Sequence, residues 1–184
     1  GGLGGHGRRR VHRSPDLAVQ RTVRADGRGL VLRRRDDVGD QHPWTVGFLN
    51  TDFRDYRRMI SRFPNEGGIL GPTSLPTMMA ALGPEAAQQR INSFTWQVHD
   101  NSVEAWGEPS PTDVMITQWL GKDIRAMSVE DFVYWGGLLQ GEGLREYIDN
   151  FRRRMFDSAS AIFWMFNDCW PATRSWTKRR RRRP

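Results

Sequence analysis

The sequence predicts an α/β fold, and three observations carry that expectation. Two short segments, Met59–Phe63 and Ser160–Phe166, read as strands, and several helical patterns lie between them. The second run is nearly continuous in apolar residues, as in a parallel strand covered on both faces rather than an alternating, half-solvated one. Each run ends in polar groups, Asn65-Glu66-Gly67-Gly68 and Asn167-Asp168, where parallel sheets gather their functional side chains.

The elements follow in order. Asp36–Trp44 is polar and turn-rich and reads as a loop, and Tyr56–Ile60 closes a short helix. The strand Met59–Phe63 ends at Pro64, which has no N–H to donate to a ladder. Ser74 with Pro76 starts a helix that runs through Met78, Met79 and Leu82 to the Gly83-Pro84 break. A second helix spans Glu85 to about Val98, and a third spans Pro111–Leu120, stopped by Gly121. Ser128 with Asp131 forms a capping arrangement before a long helical stretch. Its apolar rows are Phe132, Trp135, Leu139 and Leu144, Ile148, Phe151, Met155, and Gly136, Gly137, Gly141 and Gly143 predict a kink between them.

Charge divides the chain further. The net charge of +7 over 184 residues averages unlike segments. Residues 1–35 hold ten Arg against Asp16 and Asp26, and 178–184 hold Lys178 and five Arg, while 36–177 carry nineteen acidic against twelve basic residues. All eight Trp, nine Phe and three Tyr lie between Trp44 and Trp176. An Arg- and Gly-rich segment without aromatics cannot bury enough apolar surface to offset its ordering entropy, so 1–35 and 178–184 are expected to be disordered tails foreign to the fold. Such composition is also what GC-rich coding sequence gives when read out of frame.

Several function classes lack a signal. The single Cys169 rules out an internal disulfide and a cysteine metal site, and there is no HExxH or acidic triplet, so neither metal nor cofactor is expected. No apolar run approaches the roughly 18–20 residues of a membrane span. The N-terminus lacks the apolar core of a secretory signal, which favours a cytoplasmic placement. Gly1–Gly5 is not flanked as a nucleotide loop would be, and no G-x-S-x-G elbow occurs. The Arg-rich tails could bind nucleic acid by charge alone, but they lack aromatics for base stacking and flank an acidic core, so no specific nucleic acid is expected.

Candidate chemistry gathers at the strand ends. Glu66 follows the first strand, with Gly67 and Gly68 leaving room for a ligand; a Glu in such a loop can equally be solvated. Trp164 and Trp170 flank Asn167 and Asp168, and aromatic faces beside hydrogen-bonding groups suit a sugar. The bland counterpart is that Trp164 packs the core and Asp168 caps a turn. His42 and His99 are site candidates that could also be structural hydrogen-bond partners.

These residues resemble a known family. Ser160-Ala-Ile-Phe-Trp-Met-Phe-Asn-Asp-Cys-Trp-Pro171, with Ser175-Trp176, is similar to the last barrel strand of family 2 glycoside hydrolases of the β-mannosidase type. Arg62-Phe-Pro-Asn-Glu-Gly-Gly68 resembles that family's nucleophile loop, Gly39-Asp-Gln-His42 a turn before it, and His99-Asp100-Asn101 a polar segment after it. Asn65 stands where Ser is commoner, Gly67 where an aromatic is usual, and Trp44 where a Tyr is frequent.

The resemblance covers about residues 36–177. It implies the C-terminal part of a (β/α)8 TIM barrel, a partial barrel lacking its N-terminal strands, from a retaining β-glycosidase of carbohydrate catabolism. Glu66 would be the nucleophile, and Trp44, His42, His99, Trp164, Asn167 and Trp170 would contact a β-linked mannoside or related glycoside. The family's acid/base Glu follows an Asn; no Asn-Glu besides Asn65-Glu66 occurs here, so the chain alone is expected to be inactive. An inactive carbohydrate-binding remnant is the remaining alternative.

Overall fold

The computed structural model describes residues 21–24, 31–34, 39–49, 51–83, 91, 93–100, 110–168, 170 and 172–175. The chain divides into two compact units, Gly1–Arg35 and Asp36–Pro184. In the first, β1 (Arg21–Arg24) and β2 (Val31–Arg34) pair antiparallel, Arg21 opposite Arg34. Composition alone predicts no element there; this short pairing uses backbone groups, which an aromatic count does not register. The expected tail 178–184 lies outside the described residues.

In the second unit, β3 (Asp40–Gln41) runs parallel to β4 (Phe63–Pro64), with Asp40 opposite Phe63 and Gln41 opposite Pro64. Asn65 N–H continues the pairing to the Gln41 carbonyl at 3.1 Å. On the other side of β4, the Ala159, Ile162 and Trp164 amides donate to the carbonyls of Arg62, Pro64 and Gly67 at 2.8, 3.1 and 2.9 Å. Both partners advance together, so three extended segments lie parallel in the order 40s, 60s, 160s. The regular ladder of β4 ends at Pro64 as expected, although the Pro64 carbonyl still accepts both Ile162 N–H and the Ser160 hydroxyl, the latter at 2.9 Å.

The predicted strand Met59–Phe63 shortens to its last residue plus Pro64, and Ser160–Phe166 is extended without a regular ladder. Nor is that run covered on both faces: Trp164 is 44% and Phe166 85% exposed. A further pairing, antiparallel, joins β5 (Gly71–Pro72) to β6 (Arg174–Ser175).

The helices fall where their end signals stand. α1 (Leu75–Leu82) follows Ser74 with Pro76 in its first turn. Of the predicted Glu85–Val98 helix the described part is α2 (Phe94–Val98), capped by the Ser93 hydroxyl. α3 (Pro111–Leu120) is capped by Ser110 and ends at Gly121, whose φ of 62° is a left-handed conformation that glycine adopts without a Cβ clash. α4 (Val129–Arg153) starts where the Ser128 hydroxyl accepts Asp131 N–H at 3.1 Å. The predicted Tyr56–Ile60 helix is a 3-10 turn, Phe53–Arg58, capped by the Asp52 carboxylate.

The kink predicted in α4 is absent; the helix runs 25 residues unbroken. Its glycines are contact points rather than breaks. A Cβ on Gly136 would lie 2.8 Å from Pro72 Cδ, and one on Gly143 would lie 2.5 Å from Ile69 Cγ1. The face it buries is therefore Val129, Phe132, Gly136, Leu139, Gly143, Tyr147 and Phe151, joined by Gln140 and Asn150, while Met155 from the expected row is exposed. The Gln140 and Asn150 amides donate to the carbonyls of Ile69 and Met59, both at 3.0 Å, so their burial leaves these strand-flanking carbonyls satisfied. Met78, Trp96, Met115, Ile116 and Val46 complete the core, at about 1.5–3 kcal/mol for each large apolar side chain removed from water. Among the described residues no helix is long and apolar enough to cross a membrane.

Candidate functional site

Glu66 lies just beyond β4, on the Asn65–Gly68 loop, and the parallel pairing fixes where that loop begins and ends. Ahead of it, Asn65 N–H is held by the Gln41 carbonyl; behind it, the Gly67 carbonyl accepts Trp164 N–H. The Gly68 carbonyl accepts the hydroxyl of the buried Tyr56 at 2.8 Å. Tyr147, also buried, donates its hydroxyl to the Ile162 carbonyl at 2.7 Å and packs edge-on against Tyr56, ring centres 5.1 Å apart. Burial raises both phenols above their ordinary range, so both stay neutral donors.

Gly67 is a requirement of this packing. A Cβ there would stand 2.6 Å from Tyr147 Cε2, a ring already fixed by its hydroxyl and by Phe151. The aromatic usual at this position in the resembled family has no space beside that ring.

The Glu66 side chain is held at one oxygen. Trp44 Nε1–H donates to Oε2 at 3.3 Å, and His42 Nδ1 lies 3.4 Å from the same oxygen. His42 Nε2 faces Asp40 Oδ2 at 3.9 Å, completing a row Asp40, His42, Glu66. Oε1 accepts no hydrogen bond from the described residues, and the side chain is 29% exposed. A carboxylate anchored through one oxygen and open at the other is held in orientation while keeping a lone pair for an incoming centre.

The remaining predicted residues lie in two places. His99 and Trp170 stack, ring centres 5.3 Å apart and 16° from parallel. Trp164 adjoins the Glu66 loop through its backbone, with its indole exposed. Asn167 is exposed and makes no hydrogen bond to either group among the described residues. Thus Glu66, Trp44 and His42 are brought into contact, His99 and Trp170 form a second pair, and the exposed Trp164 indole does not pack into a core.

Four contributors had no sequence signal strong enough to single them out. Asp40 sits inside the Gly39–His42 turn and reveals its role only through the 3.9 Å approach to His42. Tyr56 and Tyr147 sit in helical segments where an aromatic reads as core. Arg174 is fully buried, pairs with Asp100 and with Asp113 at 2.5 Å, and lies over the rings of Trp96 and Phe132. Thr173 N–H donates to the His99 carbonyl at 2.7 Å, so this ion network anchors the segment that carries His99. No group of three or more metal-ligating side chains occurs among the described residues.

Comparison with known proteins follows the same lines. No family model matches the chain. Over 150 residues it is 29% identical to β-mannosidase B of Thermothelomyces thermophilus, covering 76% of this chain and 17% of that protein. The solved β-D-mannosidase from Dictyoglomus thermophilum matches with a TM-score of 0.65 at 25% identity, over 78% of this chain and 17% of that one. The chain therefore spans 17% of the length of these relatives.

Proposed function

We propose, from the premise that this chain is a β-mannosidase-like glycoside hydrolase segment in sequence and fold, that residues 36–177 are the last strands and helices of a (β/α)8 barrel and that Glu66 is the nucleophile of a retaining β-glycosidase. The observation that carries this reading is the one-sided hold on Glu66: Trp44 and His42 meet Oε2, while Oε1 is open. Oε1 attacks the anomeric carbon of a terminal β-linked mannoside, and the glycosidic bond breaks as the carboxylate–carbon bond forms. Water then hydrolyses the glycosyl-enzyme with net retention. The Trp44 N–H and the nearby imidazole share charge with the carboxylate and keep it from rotating away from the sugar.

The fold supports the placement. The parallel order 40s, 60s, 160s is what three consecutive barrel strands give, and Glu66 follows the C-terminal end of β4, where barrel enzymes build sites, beside the backbone of Trp164. The exposed indoles of Trp164 and Trp170, the latter stacked on His99, offer flat apolar faces to the C–H face of a sugar ring.

A retaining mechanism needs a second carboxyl about 5–5.5 Å from the first, as acid and then base. The Asn-Glu pair that would supply it is not among residues 1–184, so the chain alone is expected to leave an aryl β-mannoside uncleaved. Normal-rate hydrolysis by the purified 184-residue chain would refute that division of labour. The nucleophile assignment is tested separately, by grafting residues 36–177 in place of the matching segment of the Dictyoglomus thermophilum β-mannosidase and introducing Glu66→Gln. Turnover by the graft that survives this substitution would exclude Glu66.

A further inference from the structure

An open cavity lies at the opposite end of the 59–66 segment from Glu66. It is a surface depression of about 550 Å³ lined by Arg57, Asn150, Arg153 and Arg154. Three guanidiniums converge there, and their pairing is incomplete. Arg57 uses Nε and one Nη on Glu146, at 2.8 and 2.5 Å. Arg154 uses Nε on Asn150 Oδ1 at 3.2 Å and one Nη on the Arg57 carbonyl at 3.0 Å. The second Nη of each, and the whole guanidinium of the exposed Arg153, have no hydrogen-bond partner among the described residues.

Among the described residues Glu146 forms an ion pair with Arg57 alone of these three cations. Asp149 and Asp157, near in sequence, form no ion pair with them among the described residues. The C-terminal end of α4 explains why cations collect there, since its last carbonyls favour positive charge. It does not explain why Arg57, held by the Glu146 carboxylate, and Arg154, held by Asn150 and the Arg57 carbonyl, are fixed in orientation with outer N–H groups left over. Asn150 is 1% exposed, its Nδ2 donating to Met59 and its Oδ1 accepting from Arg154, so the exposed donors at the cavity are guanidinium N–H groups.

We infer that this cavity binds a phosphate group, free or borne on a small metabolite. Guanidinium forks match the oxygens of a tetrahedral dianion, and three of them line this one site. Two of the three forks are held in place before a ligand arrives, which reduces the ordering cost of binding. A volume of about 550 Å³ also leaves room beyond a bare phosphate for a sugar-sized substituent. The inference is independent of the glycosidase assignment.

The test is calorimetric titration of the 184-residue chain with inorganic phosphate and with glucose 6-phosphate near physiological salt, beside Arg153→Gln and Arg153→Gln/Arg154→Gln. Arg153 is exposed and makes no interior bond, so its variant is expected to fold as the parent does, checked by circular dichroism. The expected result is saturable one-site binding, weakened at least about threefold in Arg153→Gln and tenfold in the double variant. Equal affinity for the two probes identifies free phosphate as the ligand, and tighter glucose 6-phosphate binding identifies a metabolite-borne one. Binding that never saturates, or that is unchanged in Arg153→Gln, would overturn the inference and assign the attraction to the Arg-rich termini.

Discussion

Two charged clusters in the same unit behave in opposite ways. The Arg174 guanidinium is completely buried and meets two carboxylates and two aromatic rings, whereas the Glu66 carboxylate is partly exposed and held at one oxygen. Buried charge survives only where partners surround it, so the first cluster is committed to holding segments together. The second leaves part of its bonding capacity unused, which weakens it as a stabilising contact and suits it to a ligand. The difference separates scaffold from site without reference to sequence similarity.

The strongest way to break that contrast is Arg174→Met. It leaves Asp100 and the nearly inaccessible Asp113 without their cation, at an expected cost of about 3–5 kcal/mol in urea unfolding. Glu66→Gln should change the same quantity by no more than about 0.5 kcal/mol. Comparable losses for the two would erase the distinction.

The next effects concern the boundary between the clusters. Gly67→Ala drives a methyl into the Tyr147 ring and is expected to cost about 1–3 kcal/mol by the same measurement. Tyr56→Phe removes the donor to the buried Gly68 carbonyl, at about 1–2 kcal/mol, and should loosen the Glu66 loop in amide hydrogen exchange. Unchanged exchange at Glu66–Gly68 would show that the tyrosine is filler rather than a brace.

The smallest effects come from titration. Burial holds the Tyr56 and Tyr147 hydroxyls above their usual value of 10.0, so their folded pKa exceeds the unfolded one. The stability this contributes is complete below about pH 10 and declines as pH rises beyond it. Phenolate absorbance near 295 nm should therefore grow together with loss of near-ultraviolet circular dichroism. At the acid end, Arg57 keeps the Glu146 carboxyl below its ordinary range, by hydrogen bonding first. That stability is present above the ordinary carboxylate range and is lost as pH falls through the depressed value. The Arg57 side chain is largely exposed, so Glu146→Gln should cost under about 1 kcal/mol at neutral pH.

What the sequence disclosed depended on how local the cause was. Ser74, Ser128 and Gly121 mark helix ends because capping involves residues within one turn. The buried face of α4 was legible only in part: the apolar rows named Phe132, Leu139 and Phe151, but not the glycines between them, which are there because Pro72 and Ile69, distant in sequence, come too close for anything larger. Apolarity alone placed Ser160–Phe166 in a covered strand, although it runs beside β4 with exposed side chains. At the site, Glu66, Trp44 and His42 were legible through ordered motifs, and they do meet in space. Asp40, Tyr56, Tyr147 and Arg174 were not, since each acts through a contact that no spacing rule encodes.

The most direct measurement of the central claim is turnover of an aryl β-mannoside by the grafted Dictyoglomus thermophilum enzyme carrying residues 36–177, with and without Glu66→Gln and with added azide. The account predicts activity in the graft and a loss of at least about a thousandfold on substitution. It further predicts that azide rescues the truncated variant Glu66→Ala and yields the α-mannosyl azide, because the small anion attacks from the space the carboxylate side chain vacates. An active graft whose Glu66→Gln variant retains near-parental activity would contradict it.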